Sequence, residues 1–82
     1  MQQAIRVGAP DWQPLENAIP TKYCESFMFM GKAGNIALYK HRLTRRYLNI
    51  DAATERFYRY ANDEYVEIDR RQALDSVYGH DQ

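Results

Sequence analysis

The stretch Tyr39-Lys40-His41-Arg42-Leu43-Thr44-Arg45-Arg46-Tyr47 holds most of what could do chemistry in this chain. Lys40, Arg42, Arg45 and Arg46 could neutralise phosphates, while Tyr39 and Tyr47 could stack on the bases of a single strand. This defines a nucleic-acid-binding reading. Metal-free RNA cleavage would use the same residues, with His41 as general acid or base and an arginine stabilising the phosphorane. Such a ribonuclease needs a second acid–base group, and the only other histidine, His80, falls in a tail expected to fray. No catalytic set is therefore assigned.

The remaining reactive residues read as structure. Cys24 is the only cysteine, so no disulfide can form within the chain. Beside Phe27 and Met28 it fits a small core residue better than a thiol nucleophile partnered by His41. Cys24, His41 and His80 lack zinc-ligand spacing, and Asp63, Glu64, Glu67 and Asp69 lack the spacing of a calcium loop. No metal or other cofactor is expected. Gly31-Lys32-Ala33-Gly34-Asn35 lacks the spacing of a phosphate loop and reads as a hairpin turn. Met28 and Met30 read as core filler.

Eighty-two residues make one domain, 1–82, with a loose arm or short edge strand over 1–10 and a frayed tail over 80–82. A core this small supplies roughly 3–5 kcal/mol, and with disulfides and metals excluded, self-association is the remaining supplement. No apolar run is long enough to cross a bilayer, and no leader segment is apparent. A lone cysteine without a glycosylation sequon fits the cytoplasm. Net charge is zero but uneven. Residues 26–50 hold Lys32, Lys40, Arg42, Arg45 and Arg46 without an acid, whereas residues 51–82 hold eight acids and four arginines. Pairing of basic and acidic strands within one sheet accounts for this.

The elements that must position these residues follow from periodicity. Asp11 predicts the cap of a short helix carrying Pro14, Leu15, Ala18 and Ile19, ended by Pro20, and Thr21 the cap of one further turn. Alternating residues from Phe27 begin a strand. Further strands are predicted over 36–42, from 45 or 46 to 50, over 57–61 and over 65–68. Asp69 and Gln72 have capping-box spacing ahead of a helix that Gly79 ends. No internal repeat is expected. The fold class is α+β, a four- or five-stranded antiparallel β-meander with short terminal helices packed on one face.

Register then decides the faces. A three-residue loop Leu43-Thr44-Arg45 sets Lys40 opposite Leu48 and Leu38 opposite Ile50. A three-residue loop Asn62-Asp63-Glu64 sets Arg59 opposite Glu67. The core face then carries Ile36, Leu38, Leu48, Ile50, Tyr58, Tyr60, Val66 and Ile68. The second face carries Tyr39, His41, Tyr47, Asn49, Phe57, Arg59, Tyr65 and Glu67. Four aromatics on a solvated face call for cover, by the chain itself, a partner or a ligand. The principal functional expectation is an interaction module, a homodimer joined through Tyr39, His41, Tyr47, Phe57, Arg59 and Tyr65.

The run Phe27-Met28-Phe29-Met30-Gly31, with Leu38-Tyr39-Lys40-His41 and the segment Thr44-Arg45-Arg46-Tyr47-Leu48-Asn49-Ile50-Asp51, resembles short bacterial proteins of the mobile gene-cassette type, including those of integrons. The resemblance covers about residues 12–79 and carries no activity or functional residues with it.

Overall fold

The structure, a computed structural model, describes residues 5–79. The first four residues of the arm and the tail 80–82, His80 included, lie outside that range. The described residues form a six-stranded antiparallel meander in the order β1-β2-β3-β4-β5-β6, with three short helices. β1 (Ile5–Arg6) is a two-residue edge strand, followed by α1 (Gln13–Ala18) and α2 (Thr21–Cys24). Then come β2 (Phe27–Ala33), β3 (Ile36–His41), β4 (Tyr47–Asp51), β5 (Phe57–Ala61), β6 (Glu64–Ile68) and α3 (Arg70–Tyr78).

Local chemistry sets most boundaries. Asp69 and Gln72 form the capping box of α3, and Gly79 ends the helix in the left-handed conformation. Asp11 is not the α1 cap. Trp12 takes that position, while the Asp11 carboxylate accepts the Gln13 N–H from one residue further out. Pro20, rather than Thr21, precedes α2 as its cap. Gly31 lies within β2, not in the turn, at a bulge between Phe29 and Gly31. Its φ of 115° and the 2.7 Å that would separate a Cβ from the Arg6 carbonyl leave room for glycine alone. Gly34, at positive φ, begins the β2–β3 turn.

The register of both predicted hairpins differs by one residue from expectation. Lys40 pairs with Tyr47, Tyr39 with Leu48 and Leu38 with Asn49. In the last hairpin Arg59 pairs with Val66 and Tyr58 with Glu67, so the expected Arg59–Glu67 pair is absent. Glu67 instead meets Arg56 at 3.4 Å on the surface. The cause is loop geometry. Asn62 and Asp63 both have positive φ, as a tight two-residue turn of the primed type requires. Between β3 and β4 the bond from His41 N–H to Arg46 O encloses a four-residue loop, Arg42 to Arg45, tightened by Arg45 N–H to His41 O, with Arg45 left-handed.

The conformation of that loop recurs ten residues later. Asp51 N–H donates to Arg56 O and Glu55 N–H to Asp51 O, with Glu55 left-handed. The paired segments are His41-Arg42-Leu43-Thr44-Arg45-Arg46 and Asp51-Ala52-Ala53-Thr54-Glu55-Arg56.

The register puts Tyr39, not Leu38, into the main core. Leu15, Ile19, Phe27, Ala37, Tyr39, Leu48, Ile50, Phe57, Ala73 and Val77 form one buried cluster beneath the helices. Complete burial of a phenol requires a partner, and the Tyr39 hydroxyl donates to the Asp11 carbonyl at 2.6 Å. Trp12 stacks on the Tyr39 ring at 5.8 Å. The same α1 approach is tied by Lys32 Nζ to Asp11 Oδ2 at 2.9 Å, a hydrogen bond that holds the Asp11 carboxyl below its ordinary pKa.

Candidate functional site: a tyrosine-lined cleft

The opposite face of the sheet follows from the observed pairing. Leu38, Asn49, Tyr58 and Glu67 lie across it in one row, and Lys40 pairs with Tyr47 and Tyr60 with Tyr65 on the same side. Tyr58 and Tyr65 are half-buried, whereas Tyr47 and Tyr60 each remain 43% exposed. The Tyr60 and Tyr65 rings meet at 4.9 Å, and Lys40 Nζ stands 5.8 Å from the Tyr47 ring centre. Desolvation first, then Asp63, raises the Tyr60 phenol pKa, and desolvation first, then Tyr60 and Tyr47, raises that of Tyr65. These phenols are neutral hydrogen-bonding groups at neutral pH.

Pairing between β4 and β5 is confined to Asn49 with Tyr58 and Ile50 with Phe57. Beyond Asn49 no register pair joins Tyr47 or Leu48 to β5. A cleft of about 440 Å³ opens at this divergence. Its walls include Met30, Leu38, Tyr47, Asn49, Tyr58, Tyr60 and Tyr65, and it reaches Ala73 and Ser76 of α3. Arg59 is the one charged side chain among the described residues that line it.

Asn49 is the unusual member. It is only 4% exposed, and its Nδ2 donates to the Tyr58 carbonyl at 3.3 Å, while its Oδ1 is buried without a hydrogen-bond partner. Buried amide oxygens are normally satisfied, because leaving one unpaired costs about 1–3 kcal/mol. Asn49 and the tyrosines thus line a largely apolar, ring-walled space.

Compared with protein-family models, with curated proteins and with solved structures, the chain matches none of them. The reading of the site therefore rests on geometry.

Of the residues expected on the second face, the structure keeps Tyr47, Asn49, Tyr65 and Glu67 together and moves the others. Tyr39, His41 and Phe57 are buried on the helix-covered side. Arg59 shares their side of β5 but is exposed and reaches the end of the cleft. His41 Nδ1 accepts N–H bonds from Leu43 at 3.1 Å and Thr44 at 3.2 Å, so the ring proton sits on Nε2. Its ring packs edge-on to Phe27 and Tyr78, at 5.0 and 5.4 Å. That is a loop fastener rather than a poised general base. The basic residues do not converge on one surface either. Arg42 Nε donates to the Glu25 carbonyl at 3.2 Å, and Arg46 donates to Ser76 O at 3.3 Å, at the C-terminal end of α3. Lys40 alone of the four stands beside a tyrosine of the cleft.

Cys24 is buried, its thiol directed to the Pro20 carbonyl at 3.7 Å and pushed up in pKa by burial. Among the described residues, no group of three or more His, Cys, Asp or Glu could hold a metal, and no helix is long and apolar enough to cross a membrane. Tyr58 and Tyr60, assigned to the core on sequence, are the site residues that reasoning missed. Their signal was Asn62-Asp63, a dipeptide suited to positive φ at both turn positions and hence to an even loop.

Proposed function

We propose that this protein is a binding module and that the cleft between β4 and β5 takes a small, mostly flat ligand. The observation that carries this reading is a tyrosine-walled cleft opened where β4 and β5 stop pairing. A volume of about 440 Å³ lies within the roughly 300–1,000 Å³ of small-molecule sites. Tyrosine walls supply apolar area with polar rims, at low cost in side-chain entropy. The engagement of His41 in its own loop supports binding rather than acid–base catalysis.

The test is a fragment screen followed through backbone amide NMR shifts. Hits that move Tyr47, Asn49 and Tyr58 together support the reading. Hits that leave those three unmoved defeat it.

Homodimerisation through the same face is the second reading. It is favoured by the exposure of Tyr47 and Tyr60 on the rim. Light scattering over a range of concentrations tests it, with Tyr47→Ala expected to weaken the dimer. A monomer at every concentration excludes it. Single-strand binding through Lys40, Arg42, Arg45 and Arg46 is less favoured, because Arg42 and Arg46 are directed to carbonyls of the fold.

A further inference from the structure

The sheet ends in two unlike edges. Among the described residues, β1 pairs with β2 over Ile5 and Arg6 only, beside the bulge at Gly31. β6 pairs with β5 without a break over all its residues, Glu64 to Ile68, and lies last in the strand order. Open edges are ordinarily blunted by shortness, a bulge, proline or charge. Shortness and a bulge guard β1, whereas β6 has charge alone. We propose that the outer edge of β6 docks an extended peptide segment rich in lysine and arginine, which adds to the sheet as a further antiparallel strand. This site is separate from the cleft and does not depend on it.

Turn geometry decides which main-chain groups face the newcomer. Asn62 and Asp63 form a two-residue turn, so Ala61 and Glu64 are the hydrogen-bonded pair that closes it. Bonded and non-bonded pairs alternate along an antiparallel ladder. Glu64, Val66 and Ile68 therefore direct their N–H and C=O groups to β5, while those of Tyr65 and Glu67 point outward. Each of these two can exchange a pair of main-chain bonds with an incoming strand.

Charge names the occupant. Asp63, Glu64, Glu67 and Asp69 fall in the run 63–69, which contains no lysine or arginine. Glu64, Val66 and Glu67 are exposed. Arg56 reaches Glu67 at 3.4 Å, and Asp69 caps α3, but among the described residues no ion pair engages Glu64. A second copy does not fit this edge. Antiparallel self-pairing centred on Tyr65 sets Asp63 opposite Glu67, and centred on Val66 it sets Asp63 opposite Asp69. Centred on Glu67, it sets that residue opposite itself. Like charges directly opposite are destabilising, and a basic strand turns the same positions into attractive pairs.

The probe is the capped peptide Lys-Val-Arg-Val-Thr-Lys, whose cations fall opposite Asp69, Glu67 and Glu64 when it runs antiparallel to β6. It is titrated into the whole chain at low salt and followed by amide NMR and hydrogen exchange. Exchange is expected to slow at Tyr65 and Glu67 and to change least at Val66, whose amide is already bonded to β5. The same peptide with glutamate in place of its cations should bind about tenfold or more weakly, a difference that shrinks as salt is added. Glu64→Lys combined with Glu67→Lys should reverse the preference. N-methylation of the peptide at its arginine and threonine, opposite Glu67 and Tyr65, should abolish binding to the parent protein, which preserves the test if the double variant does not fold.

Equal binding of the two peptides overturns the proposal, as does no binding of the basic one at low salt. Binding that leaves exchange at Tyr65 and Glu67 unchanged places the peptide elsewhere and also overturns it. Protection of those two amides that rises with protein concentration alone gives the edge to a second copy, against the proposal.

Discussion

His41 and Asp51, ten residues apart, occupy equivalent positions in two copies of one loop. His41 Nδ1 accepts from the N–H groups two and three residues ahead, at 3.1 and 3.2 Å, and Asp51 Oδ1 accepts from its own two, at 2.8 and 3.0 Å. Thr44 and Thr54 complete the equivalence, each hydroxyl accepting the N–H two residues on, from Arg46 and Arg56. The imidazole and the carboxylate serve here as acceptors for loop amides that have no strand partner. Thr44 adds a tertiary bond, donating to the Val77 carbonyl at 2.7 Å, which fastens the first loop to α3.

His41→Asn keeps an acceptor that reaches the same two amides, whereas His41→Ala removes it. The alanine variant should therefore be less stable than the asparagine variant by about 1 kcal/mol, measured by urea unfolding. Equal stability would mean that ring packing against Phe27 and Tyr78 is all that His41 contributes.

Gly31→Ala should be among the most damaging single-methyl changes in the chain. The positive φ is strained for any side chain, and the new Cβ would strike the Arg6 carbonyl backbone. A loss of about 1–3 kcal/mol is expected, with amide exchange rising first at Ile5 and Arg6 as β1 leaves the sheet. Protection at β1 equal to that of the parent protein would refute this account of the bulge.

Asp11 links stability to acid. Its hydrogen bond with Lys32 lowers its pKa in the folded state, so the unfolded chain binds the proton more readily. The contribution is present above the unfolded value of about 4 and is lost as pH falls through the lowered folded value. Both partners are about one-third exposed, so the gain is about 1 kcal/mol or less. Lys32→Met should flatten this part of the acid limb of a stability–pH profile. An unchanged limb would place the acid sensitivity elsewhere.

Tyr39 links stability to alkali. Desolvation, followed by the charge of Asp11, raises its phenol pKa, so the folded state holds the proton to higher pH than the unfolded chain. Its stabilising contribution is complete below the unfolded value of about 10 and declines as pH rises through the folded value. Tyr39→Phe should cost about 1 kcal/mol at neutral pH, through the bond lost to the Asp11 carbonyl. It should also make the alkaline fall shallower, though not flat, because Tyr65 and Tyr78 are shifted in the same direction by burial. Parallel alkaline limbs for the two proteins would contradict the assignment.

Much of the candidate site was legible as composition and little of it as placement. Tyr47, Asn49 and Tyr65 can be assigned to the second face from alternation within their own strands. Tyr58 and Tyr60 belong there too, but a three-residue turn turns β5 over and hides them. Sorting apolar residues onto one face favours that wrong register, because it groups Leu38 with Leu48 and Ile50 and leaves Tyr39 on the second face. Tyr39 is a core residue only because the Asp11 carbonyl, 28 residues away in sequence, receives its hydroxyl.

The amino-acid sequence by itself determined the α+β meander, the five longer strands and the boundaries of α3. Those features depend on side-chain period, capping chemistry and turn residues, all of which act within a few positions along the chain. Only the tertiary structure decided the registers, the burial of Tyr39 and the meeting of Asn49 with a ring-walled cleft. Register is set by backbone conformations at Arg45, Asn62 and Asp63 that several residue types can adopt, and a shift of one position exchanges the two faces. The cleft exists because β4 and β5 stop pairing beyond Asn49, a divergence between strands that neither strand's own sequence encodes.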